Sequence, residues 1–104
     1  MRLKPKKSLG QNFLHDKNII EKIINASNIG SNDEILEVGP GTGNLTEFII
    51  SQNPKKIYVI EKDKNLASVL EKKFLNKINI VTEDILTLPL KFYSGRKFLI
   101  LGNL

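Results

Sequence analysis

Glycines stand at alternate positions in Glu37-Val38-Gly39-Pro40-Gly41-Thr42-Gly43, directly after the apolar pair Ile35-Leu36, and one acid, Glu61, closes the next apolar run, Ile57-Tyr58-Val59-Ile60. A backbone free of side chains can turn sharply there and come within van der Waals distance of a ligand. A carboxylate at the tip of the neighbouring strand can accept both hydroxyls of a ribose. From position 39 to position 61 is 22 residues, close to the roughly 20 that separate these parts in nucleotide-binding βαβ units. The pair is suited to gripping an adenosine-containing ligand. A bare strand-to-helix turn would use the same glycines without needing the acid.

The glycine spacing departs from the dinucleotide fingerprint, because Asn44 occupies the place of its third glycine and Gly43 comes one position early. A pyrophosphate loop also aims a helix N-terminus at negative charge. An acid at Glu37, just before the loop, suits instead a ligand with positive groups. S-adenosylmethionine, with its sulfonium and its ammonium, fits that description better than a nicotinamide dinucleotide does.

Composition narrows the chemistry further. The 104 residues contain no cysteine and a single histidine, His15, which excludes thiolate catalysis, disulfides and a histidine or cysteine metal cluster within this chain. Carboxylates, amides and backbone groups must do the work, with no metal. No apolar run is long enough to span a bilayer, and the first residues are too basic for a secretory signal. A cytoplasmic chain without membrane contact is expected.

The formal charge of +5 is unevenly placed. Residues 1–17 hold Arg2, Lys4, Lys6, Lys7 and Lys17 against Asp16 alone. Such an arm attracts phosphates through counterion release, so nucleic acid is an expected partner. The organisation this implies is a basic arm over 1–17 followed by one domain over 18–104.

The elements that must position these groups can be read along the chain. Asp16 can cap a helix with Ile19, Ile20, Ile23 and Ile24 on its buried stripe, ended by Asn28-Ile29-Gly30. Ile35 to Val38 reads as a strand buried on both faces, as in a parallel sheet. Leu45, Phe48 and Ile49 give a short helix that stops before Pro54. Strands are expected at 57–60, 79–81 and 98–101, with a helix through Leu66, Val69, Leu70 and Phe74. Alternation of this kind predicts a doubly wound, Rossmann-like parallel α/β sheet. Ligands bind such sheets at the carboxyl ends of the strands. The polar residues there are the glycine turn, Glu61, Asp84 and Asn103. Asp84 or Asn103 taken singly would read as a turn former or cap.

Taken together, Gln11-Asn12-Phe13-Leu14, the 37–43 segment, Ile60-Glu61, Glu83-Asp84 and Gly102-Asn103-Leu104 resemble the ribosomal RNA adenine dimethyltransferase family, in its bacterial small-subunit branch. The resemblance implies a class I S-adenosylmethionine-dependent methyltransferase fold, truncated after its fourth strand. It implies that Asn12, Leu14, Gly39, Glu61, Asp84 and Asn103 bind the cofactor. Asn103 and the Leu104 carbonyl would orient an adenine amine for methylation, with small-subunit rRNA and the immature small subunit as partners. The family pattern continues after Asn-Leu with a proline and an aromatic residue, and on this resemblance the chain is an N-terminal fragment, inactive alone. Large-subunit rRNA methyltransferases of the macrolide-resistance type share these motifs, and a non-catalytic assembly factor could keep the fold.

Overall fold

The computed structural model describes residues 16–102. Asn12, Leu14, Asn103 and Leu104 lie outside them. Helix α1 (Lys17–Ser27) starts where the carboxylate of Asp16 accepts the backbone N–H groups of Asn18 and Ile19, at 2.9 and 3.4 Å. It ends at Asn28 in the left-handed region. Its buried stripe is Ile20 and Ile24, with Ile23 packed alongside.

The chain then runs β1 (Glu34–Val38), α2 (Asn44–Ser51), β2 (Lys56–Ile60), α3 (Lys64–Phe74), β3 (Asn79–Val81) and β4 (Phe98–Gly102). All pairings are parallel and the order is β3-β2-β1-β4. The chain builds outward from β1 to β3 and then returns to the other side of β1. Between β1 and β4 the winding direction reverses, which is where the carboxyl edge of an open α/β sheet leaves a crevice.

Period-two alternation sorts the side chains onto two layers. Ile35, Ile57 and Val59, with Leu99 and Leu101, face Ile20 and Ile24 of α1, Leu45 and Ile49 of α2, and Leu70 and Phe74 of α3. On the opposite face Leu36 and Ile60 meet Leu88, Tyr58, Phe92, Tyr93 and Phe98. The expected apolar stripe of α3 is corrected at one position. Val69 is 53% exposed, and the buried residues are Ala67, Leu70 and Phe74, whose spacing keeps them on one side of the helix.

Strict alternation of strand and helix also fails once. Residues 82–97 cross from β3 to β4 with two short 3₁₀ turns, Ile85–Thr87 and Leu90–Phe92, and no α-helix. Pro89 interrupts the segment and Gly95 adopts a positive φ, so no uninterrupted helical stretch forms. Instead an aromatic cluster covers the second face. The Arg96 guanidinium sits 4.7 to 5.0 Å from the Tyr58, Phe92 and Phe98 rings and pairs with Glu34 at 3.2 Å. Glu34 and Phe98 open β1 and β4, so this plug lies at the end of the sheet opposite the glycine turn.

Candidate functional site at the carboxyl edge of the sheet

The last rung of the sheet is Val81, Ile60, Val38 and Gly102. Beyond it the hydrogen bonding continues for one more step. The Gly39 N–H donates to the Ile60 carbonyl at 3.3 Å, and the Glu61 N–H donates to the Val81 carbonyl at 3.0 Å. Gly39, Glu61 and Thr82 therefore leave the sheet side by side, and Asp84 follows two residues after Thr82. Asn103 continues from Gly102 outside the described residues.

Gly39, Gly41 and Gly43 all have φ between 59° and 92°. Gly43 is also pressed against α3, since a Cβ there would lie 2.6 Å from Phe74 Cε2 and 3.1 Å from Leu70 Cδ2. The turn is tied to the same helix by Lys73, whose Nζ donates to the Thr42 carbonyl at 3.1 Å. Such a turn presents backbone to a ligand rather than side chains.

Glu61 is only 8% exposed, and its Oε2 accepts the Asp63 N–H at 2.9 Å. Asp63 in turn caps α3 through the N–H groups of Asn65 and Leu66. The carboxylate is thus aimed by the first turn of the following helix, and its lone pairs leave capacity for hydroxyl donors. Asp84 caps the first 3₁₀ turn, accepting the Leu86 N–H at 2.9 Å. That is the structural role its position suggested when taken alone, and it holds the side chain on the rim by one oxygen.

Glu37 behaves differently from a surface acid beside a ligand. Its side chain lies on the helix-covered face, 1% exposed, and accepts the Thr46 hydroxyl at 2.5 Å. Burial pushes its carboxyl up to about 7, against a smaller lowering by the Thr46 bond. The carboxyl is thus held inside the fold at the base of the turn.

Thr46, fully buried, and Asp63 were not among the residues singled out from the sequence. A signal existed for each. Thr46 falls on the core-facing side of α2 between Leu45 and Ile49, and Asp63 stands two residues after Glu61 at a helix start.

Among the described residues no group of acids and histidines is arranged to hold a metal ion, and no helix is long and apolar enough to cross a membrane. The rim residues do fit S-adenosylmethionine in their chemistry: a close-approach turn and two carboxylates with lone pairs able to accept from hydroxyl or amine donors. A concavity lined by Lys64, Ala67, Ser68, Glu71, Ile80 and Thr82 flanks this rim between α3 and β3.

Sheet order, glycine turn and strand-end acids together define the Rossmann-like fold of S-adenosylmethionine-dependent methyltransferases. Solved structures agree: a dimethyladenosine transferase from Plasmodium falciparum superposes with TM-score 0.73 at 31% identity, over 86% of this chain and 32% of that one. The 23S rRNA methyltransferase ErmE gives 0.72 at 28% identity, over 84% and 35%. The sequence model of the ribosomal RNA adenine dimethylase family matches residues 2–104, and the chain belongs to that family. A ribosomal RNA small subunit methyltransferase A from Pelagibacter ubique is 49% identical across 104 residues, which is all of this chain and 39% of the relative. The chain thus spans about two fifths of the length of the curated relatives it matches.

Proposed function

We propose that this chain is the cofactor-holding part of an enzyme that moves methyl groups from S-adenosylmethionine to the exocyclic amine of adenosines in small-subunit rRNA. The observation that supports it most is the common exit of Gly39, Glu61 and Thr82 from one rung of the sheet, with Asp84 close behind. In this reading Asn12 and Leu14 contact the cofactor from the N-terminal segment, Gly39 lines its methionine and ribose side, Glu61 takes the ribose hydroxyls and Asp84 accepts from the adenine amine. The bound cofactor supplies an electrophilic methyl on a sulfonium.

Asn103 and the Leu104 carbonyl accept the two hydrogens of the target amine, turning its lone pair toward that methyl. With the cofactor bound, its sulfonium would supply the methyl, and the methylated amine would then lose its extra proton to water; Asn103 and the Leu104 carbonyl orient the amine and hold its hydrogens. Positioning and charge complementarity replace a general base. The adenine has to be unpaired or flipped out to reach the site. Two adjacent adenosines near the 3′ end of 16S rRNA, each dimethylated during ribosome assembly in the cytoplasm by a monomeric enzyme, are the proposed targets. Small-subunit names among the relatives favour this over a large-subunit target.

Replacing Glu61 by alanine is expected to weaken S-adenosylmethionine binding by about 1 to 3 kcal/mol, the value of a lost charge-assisted bond. Calorimetry on the 104-residue chain checks it, and unchanged affinity removes Glu61 from the site. The activity is tested by incubating the full-length protein with immature small subunits and mapping the modified adenosines. Dimethyladenosine in the small-subunit RNA is the expected result, whereas methylation confined to large-subunit RNA, or none, refutes the proposal. The 104-residue chain is expected to transfer no methyl groups in the same assay.

A further inference from the structure

The side-chain bond between Thr46 and Glu37 joins residues on either side of the glycine turn, so it closes the turn at its neck. Both side chains are inaccessible, at 0% and 1% exposure. In register beside Glu37 stand Val59 of β2 and Leu101 of β4, both apolar. The ionisable residues of α2 and α3 near the turn are Glu47 and Lys73, both on exposed surface, with Lys73 engaged by the Thr42 carbonyl. Among the described residues no cation neutralises the Glu37 carboxyl, and Thr46 is its one hydrogen-bond donor. An anion so placed is poorly solvated, and a cationic ligand seated over the turn above it relieves that.

Building on the cofactor reading given above, we propose that Thr46 is a positioning residue: it clasps Glu37 across the neck of the turn, so that affinity for a cationic adenosine ligand follows the ionisation of this buried carboxyl. The raised carboxyl described above puts the change within reach of ordinary pH. Linkage makes the effect reciprocal, because a ligand that prefers the ionised form must also pull the proton off.

The test uses the 104-residue chain with S-adenosylmethionine as the probe, in calorimetric titrations between pH 5.5 and 7.5. Carbon-13 NMR of labelled glutamate carboxyls follows Glu37 directly, with Glu37→Gln identifying its signal. Wild-type affinity is expected to rise with pH across this range, and saturating ligand to lower the Glu37 midpoint. Thr46→Val should raise that midpoint by about one pH unit, the lower end of what a hydrogen bond to a charged group is worth, and weaken binding roughly fourfold at pH 7.5. Thr46→Ser should restore both.

If wild-type and Thr46→Val bind with superimposable pH profiles, the proposal is overturned and the cofactor reading stands, even if the variant melts earlier. Absence of binding at every pH overturns both. Should Thr46→Val not fold, the wild-type measurement decides: a Glu37 midpoint that saturating ligand leaves unmoved refutes the coupling.

Discussion

Gly102→Ala is expected to unpair β4 from β1 and to lower the stability of the domain by about 3 kcal/mol, at the upper end of overpacking penalties. A Cβ at this position would lie 2.3 Å from the Val38 carbonyl oxygen and 3.0 Å from the Val38 nitrogen. Both are backbone atoms of the central strand, so no side-chain rotation relieves the contact and the strand itself must move. Gly102 pairs with Val38 in the last rung, and among the described residues β4 pairs with β1 alone. For a domain of this size the loss corresponds to a melting-temperature drop of roughly 12 to 24 °C. Thermal unfolding followed by circular dichroism measures it, and a drop of less than about 3 °C contradicts the argument. Asn103 comes next in sequence, so the same substitution in the full-length enzyme should abolish transfer at temperatures where the fold survives.

The contrast between what could and could not be read in advance follows the range of the forces involved. Helix α1 was legible because its signals are local: a capping acid at Asp16, isoleucines at helical spacing, and Asn28 where the chain leaves the helix. Strand β1 was legible because its apolar run between Glu34 and the glycine turn is short and ends in turn formers, which argues for a strand covered on both faces. Gly39, Glu61 and Asp84 were found as strand-end punctuation, and the register shows Gly39 and Glu61 leaving the same rung with Asp84 two residues past Thr82.

What stayed hidden depends on tertiary surroundings. No local pattern says that residues 82–97 cover a sheet face with 3₁₀ turns and aromatic rings held around Arg96. Val69 looked apolar enough for the core, yet the packing of α3 chose Ala67 instead. A carboxylate beside an apolar run reads as a strand end at the surface, so the burial of Glu37 and its bond to Thr46 needed the placement of α2.

That burial carries the second large effect. Burial pushes the Glu37 carboxyl up to about 7 in the fold, against 4.5 for the unperturbed group, so the folded state prefers it protonated. The sign follows for an acid raised in the folded state: its stabilising contribution is complete below pH 4.5 and is lost as pH rises through 7. The difference between the two values corresponds to roughly 3 kcal/mol lost by pH 8. Glu37→Gln keeps the shape and still accepts from Thr46 but cannot ionise. It is therefore expected to be more stable than the wild type at pH 8, by about 1 to 2 kcal/mol once the new amide N–H groups have found partners. Near pH 4.5 the advantage should vanish or reverse. Urea unfolding of both proteins at several pH values isolates this one group, because every other titration is common to the pair, and parallel stability profiles would show that Glu37 is not buried as described. A variant that gains stability at pH 8 while losing S-adenosylmethionine affinity would mean that the domain keeps a destabilising buried charge because its ligand needs one.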